Sequence, residues 1–261
     1  MVGNANMVDN RTILQAEIMR EKNRTAFITC DEDDAVLKEM LQKINAFGYS
    51  FQYLAELVNY KIDDKAARVI ERFINRFLRE GPRGYLVGKL DINKRENTAL
   101  IIELYHHFQN SAEYISGAGM PAPSHIYTRY DNAFRKVKQQ SYLLGIAELL
   151  RTPRDICYLP LTVDYLSRRN VITPENLFKW YNNADTITSA DIGLPDDNAT
   201  YYPPVSYFRR QIKFEVIRSL QYYPSSTSLA LLNECTNCGD FDLAASAKKS
   251  LKAMQKIDRG E

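Results

Sequence analysis

Four cysteines in 261 residues are too few and too scattered for a disulfide framework, and that scarcity suits a reducing compartment. Histidine is scarcer still, with three in the chain, and His106-His107 are sequence neighbours whose rings diverge on a helix. Neither they nor His125 combine with Cys30 or Cys157 at ligand spacing, so no metal is expected. Long apolar runs are absent: stretches such as Ala99-Leu100-Ile101-Ile102 fall far short of the ~20 residues that cross a bilayer, which excludes a spanning helix. Met1-Val2-Gly3-Asn4-Ala5-Asn6 has neither a basic n-region nor an apolar h-region, so a cytoplasmic location is expected. Charge of one sign is not in excess either, the net being +2. A protein that depends on nucleic acid usually shows a basic surplus or stripe, and a nucleic-acid partner is therefore not the first expectation. No glycine-rich phosphate loop, G-x-S-x-G or H-E-x-x-H occurs. Asp63-Asp64 and Asp196-Asp197 are adjacent carboxylates of the kind that cap helices or solvate loops. No catalytic residue and no cofactor is expected.

What is present is a succession of helix signals. Residues 1–8 read as a flexible tail and 9–258 as a single helical domain, opening with a thin apolar edge of Ile13, Leu14 and Ile18. Asp31-Glu32-Asp33-Asp34 precedes Val36, Leu37, Met40, Leu41 and Ile44, placing acids where a helix N-terminus favours them, and Gly48 ends that run. Ser50 starts a short helix through Leu54 and Leu57. Asp63 or Asp64 starts a longer one reaching Phe77 and Leu78, which Gly81-Pro82 is expected to close. Residues 85–90 have no clear type, and 94–110 return to helix. Residues 116–123 hold two glycines and two prolines and read as a loop, with Ser124 capping the next helix. From there to Leu150 the pattern fits one long helix or two broken near residues 139–141. Thr152-Pro153 and Thr173-Pro174 each place a hydroxyl at N-cap and proline at N1, so helices start at both. The first is expected to run through Ile156, Leu159, Val163 and Leu166. A long loop spans 184–207.

The last fifty residues carry the clearest pattern. Ile212, Val216 and Leu220 lead to Pro224, Leu229 and Leu232 come next, and Asp240 opens a run with Ala244, Ala247 and Leu251. This resembles HEAT-type repeats, in which antiparallel helix pairs of roughly 40 residues stack side by side. The arginine typical after the aspartate-led turn is missing, Phe241 and Leu243 standing there instead, which leaves a TPR-like or unclassified solenoid open. The resemblance implies an all-α, right-handed α-solenoid and a protein-binding scaffold. Cys235-x-x-Cys238 falls at the end of the middle helix, where the dipole raises a thiol pKa, so it reads as structural rather than redox-active.

Tyrosine is abundant, seventeen against one tryptophan, and several tyrosines lie near arginine. Tyrosine and arginine combine large contact area with a polar end, which is why they recur at binding hot spots. The partner-binding candidates are Trp180, Tyr181, Tyr201, Tyr202, Tyr207, Arg209 and Arg210, bordering the long loop. Arg209 and Arg210 oppose the dipole in the first turn of their helix, a cost an acidic partner would offset. Lys248, Lys249, Lys252 and Lys256 form a basic face on the last helix. The expected function is a non-catalytic scaffold that binds another protein as adaptor, assembly factor or immunity-type inhibitor of a toxin or effector. The alternative is a nucleic-acid-associated helical array, with or without base-processing activity.

Overall fold

A computed structural model of the chain describes Ile28 and residues 30–111, 122–192 and 204–258. Every regular element among the described residues is an α-helix or a short 3-10 turn, so the protein is all-α. The chain divides into two compact units, Met1–Asp91 and Ile92–Glu261. The apolar edge of Ile13, Leu14 and Ile18 and the expected tail lie outside the described residues.

In the first unit α1 (Asp31–Asn45), α2 (Leu54–Asn59), α3 (Asp64–Phe73) and α4 (Glu80–Val87) follow one another. Helix α1 packs on α3, burying Leu37, Met40, Leu41 and Ile44 with Ala66, Ile70 and Phe73. Asp63 is the N-cap of α3, its carboxylate accepting from the Ala66 N–H at 2.9 Å. Gly48 has φ 95°, the left-handed turn that follows α1 and that a side chain resists. Two expectations are corrected here. Gly81-Pro82 does not close α3. That helix ends at Phe73, tightens into a 3-10 turn over Ile74–Arg76, and Gly81-Pro82 falls in the first turn of α4, where a missing N–H costs nothing. The acidic cluster is also more than a cap. Asp33 is fully buried and accepts from the Leu78 and Arg79 N–H groups at 2.6 and 3.2 Å, holding the extended entry to α4. Behind it Glu80 and Arg83 form a buried ion pair at 2.8 Å.

The second unit contains α5 (Arg95–Gln109), α6 (Ala122–Phe134), α7 (Gln140–Glu148), α8 (Pro153–Tyr158), α9 (Pro160–Arg168), α10 (Pro174–Asn183), α11 (Val205–Ser219), α12 (Ser226–Cys235) and α13 (Phe241–Asp258). Of the two readings for residues 124–150, the broken one holds, with α6 and α7 separate. Helix α6 begins at Ala122, inside the stretch read as loop, since Pro123 falls in its first turn, where proline is tolerated. Thr152 and Thr173 cap α8 and α10 as expected. The expected single helix through Leu166 is instead two, because Pro160 cannot donate and its ring would clash within a continuing helix. The freed donors of Leu161 and Thr162 are taken by Asp131 of α6 at 3.1 and 2.7 Å, and the Thr162 hydroxyl adds a bond at 2.7 Å.

Helix α11 is the hub, touching α8, α9, α10 and α13 through Phe208, Ile212, Val216 and Ile217, all buried. A second centre lies where α5, α6 and α8 meet. Tyr105, Tyr127 and Tyr130 are fully buried there with Phe108 and Phe134. Tyr105 and Tyr130 pack edge-on at 4.9 Å, Tyr127 stacks on Tyr158 at 4.7 Å, and Tyr158 meets Phe208 of α11 at 5.7 Å. The Tyr105 hydroxyl donates to Asp155 at 2.6 Å, and Gln109 donates to the other Asp155 oxygen at 3.0 Å. These tyrosines belong to the core.

Candidate functional site: a charged groove on three helices

The Arg210 guanidinium donates to Asp240 and to Asp242, and farther along the Ser250 hydroxyl donates to the Ile217 carbonyl at 3.0 Å. Helices α11 and α13 therefore run in the same direction. The side of α11 turned away from Phe208 and Ile212 presents Arg210, Phe214 and Arg218 at helical spacing, and Gln221 follows in the 3-10 turn after the helix. Together with Gln211 they floor a groove of about 620 Å³, walled by Asp164 and Arg168 of α9 and by Asp242, Ala245, Ser246, Lys249 and Ser250 of α13.

The charges here are arranged, not scattered. Arg168 meets Asp164 at 2.9 Å and donates to the Tyr222 hydroxyl at 3.3 Å, while that hydroxyl donates to Asp164 at 2.9 Å. Arg218 pairs with Glu215 at 3.1 Å and reaches Asp164 at 3.8 Å. Glu215 lies beneath the floor, 2% exposed, and also accepts from Gln211 at 2.8 Å. Burial pushes its carboxyl up to about 7, against the pull of Arg218. Asp240 differs: the Arg210 hydrogen bond holds it down at about 2. Its carboxylate also accepts from the Asp242 and Leu243 N–H groups at 3.0 and 3.1 Å, which caps α13. Lys249 is exposed and, unlike the three arginines, has no ion pair among the described residues.

The binding residues expected from sequence separate into different places. Arg210 is in the groove, and the acid that offsets its position near a helix N-terminus comes from the chain itself. Arg209 faces elsewhere, donating twice to the Ile187 carbonyl at 2.9 and 2.6 Å, which ties the segment after α10 to α11. Tyr181 is half-buried on that same side. Its hydroxyl lies 3.2 Å from the Cys235 sulfur, the Lys213 ammonium sits 5.3 Å from its ring centre, and burial raises its pKa. Trp180 is half-buried. Tyr207 is 40% exposed and meets Phe208 edge-on at 5.6 Å. Tyr201 and Tyr202 lie outside the described residues. Sequence reasoning missed Asp164, Phe214, Arg218 and Glu215. The signal was legible in part, since Arg210, Phe214 and Arg218 repeat every fourth residue opposite the apolar face of α11.

Cys235 ends α12 and is buried, while Cys238 is exposed. Burial raises the Cys235 thiol pKa, and the Tyr181 hydroxyl bond opposes that rise. Among the described residues no group of three histidine, cysteine, aspartate or glutamate side chains is placed to hold a metal ion. No described helix is long and apolar enough to cross a membrane. A smaller groove of about 370 Å³ lies between α5 and α7, lined by Ala99, Ile102, His106, Tyr142, Gly145 and Leu149 among others. No family model matches the chain, and comparison with curated proteins and with solved structures likewise finds no match.

Proposed function

We propose that this protein is a non-catalytic, cytoplasmic helical scaffold that binds another protein through the groove of α9, α11 and α13. One observation carries the reading: the groove holds an aromatic floor residue, Phe214, among charged side chains fixed by ion pairs. A preorganised surface of this composition loses little conformational entropy on binding, which favours affinity. Three consecutive helices, α11 to α13, support an α-solenoid arrangement of the HEAT kind in the second unit, with α12 returning between two helices of like direction. The roles of adaptor, assembly factor and immunity-type inhibitor all fit such a scaffold. A photoreactive amino acid at Ala245, on the exposed wall of the groove, tests it in host cells. A protein adduct from Ala245 and none from the exposed Thr227 of α12 is the expected result. Absence of any adduct from Ala245 would remove the reading.

The lysine face of α13 favours a second reading, association with nucleic acid. Lys248, Lys249, Lys252 and Lys256 are all exposed, and such a stripe draws phosphates by releasing counterions. The expectation is roughly micromolar or weaker binding that fades steeply with salt. A tight complex at physiological salt, lost on charge reversal of Lys248, Lys249 and Lys252, would place this reading first.

A further inference from the structure

Building on the protein-binding reading of the groove, we propose that it binds an acidic peptide segment of the partner protein, with Lys249 as the anchoring cation and Phe214 as the apolar floor beneath the segment.

The asymmetry of pairing points this way. Both carboxylates that line the groove, Asp164 and Asp242, are already bonded to arginine. An incoming cation would find its acceptors taken. An incoming carboxylate finds Lys249, which has no ion pair among the described residues, and one turn farther along α13 it finds Lys252, likewise exposed. Arg168 and Arg210 reach their acids through part of the guanidinium fork only, and an arginine carries five N–H donors. Donors therefore remain for a second acceptor.

The interleaving of charges selects a peptide over a nucleic acid. A phosphodiester backbone is a continuous row of negative charge, and threading this groove would bring it against Asp164 and Asp242. A peptide places its charge residue by residue, so carboxylates can meet Lys249 and Lys252 while an apolar side chain covers Phe214. The cavity, about 620 Å³, is of the size that encloses a few side chains rather than a duplex.

The probe is a fluorescent glutamate-rich peptide with a central phenylalanine, followed by anisotropy against the full chain. Lys249→Glu is compared with Lys138→Glu, which makes the same charge change on an exposed lysine outside the groove. Saturable binding is expected, weakened about tenfold by Lys249→Glu and about twofold or less by Lys138→Glu. No saturable binding would overturn the proposal. Equal losses in the two variants, or tighter binding of a single-stranded oligonucleotide of matched charge, would do the same. If the Ala245 adduct forms while the peptide fails to bind, the groove reading stands and the acidic-segment inference falls. If neither occurs, both fall.

Discussion

The aromatic centre at Tyr105 and the groove at Phe214 are built from the same materials, tyrosines or phenylalanines with carboxylates beside them, and put them to opposite ends. In the centre Asp155 is sealed and meets neutral donors, the Tyr105 hydroxyl and the Gln109 amide. In the groove Asp164 and Asp242 are open to solvent in different degree and meet arginines. A sealed carboxylate with neutral donors contributes to folding, because leaving its donors buried without an acceptor costs their full desolvation. An open arginine pair contributes little to stability, and its charge remains within reach of a partner. Substitution at sealed acids should therefore destabilise the chain strongly, and substitution in the groove should cost little stability and act mainly on binding.

The largest effect is expected at the sealed acids. Asp131 accepts from two backbone N–H groups and a hydroxyl at the start of α9. Asp131→Ala leaves those donors buried without an acceptor, costing about 3 kcal/mol and lowering the melting temperature by roughly 10 °C. Asp131→Asn, which keeps one acceptor oxygen, should recover part of the loss. A melting temperature unchanged in Asp131→Ala would erase the distinction between sealed and open acids.

Glu215 stands between the two regions, buried like one and paired with arginine like the other. Burial pushes its carboxyl up to about 7 from an ordinary 4.5, with Asp131 and Asp164 adding to the rise and Arg218 and Gln211 opposing it. The folded chain then keeps a proton that the unfolded chain has released. Its contribution to stability is complete below the unfolded value and is lost as pH rises through about 7. Glu215→Gln removes this dependence. Thermal melts should show the variant gaining on the parent, by roughly 3 kcal/mol at most, between about pH 5 and about pH 8. A constant difference across that range would contradict the assignment.

Smaller effects belong to the open groove. Arg210→Ala breaks bonds to two surface acids, and with Arg210 47% exposed its cost should be about 0.5–1 kcal/mol. Lys249→Glu should shift stability by about 0.5 kcal/mol or less, while reducing acidic-peptide binding. A Lys249→Glu chain that melts several degrees lower would mean the lysine is structural after all.

Much of the fold was legible because helix starts are local. Thr152, Thr173, Ser225 and Asp240 each accept from an N–H two or three residues on, and such chemistry is written in adjacent letters. A local reading runs one helix straight through Pro160 and sets Gly81-Pro82 at a helix end, because apolar spacing continues across the first and proline at the second does not say on which side of it the helix lies. The deciding contacts there come from Asp131, some thirty residues upstream, and Asp33, some forty-five upstream. The groove was only half legible for the same reason. The spacing of Arg210, Phe214 and Arg218 can be read along α11, but nothing local joins them to Asp164 or Lys249.

Mapping backbone amide shifts by NMR as the glutamate-rich peptide is added would locate the binding surface residue by residue. Changes are expected to concentrate at Arg210, Phe214, Arg218, Asp242 and Lys249, with Tyr181 and Ile187 unmoved. Changes concentrated instead at Trp180, Tyr181 and the Ile187 segment held by Arg209 would contradict the acidic-peptide groove and place the binding surface on the other side of α11.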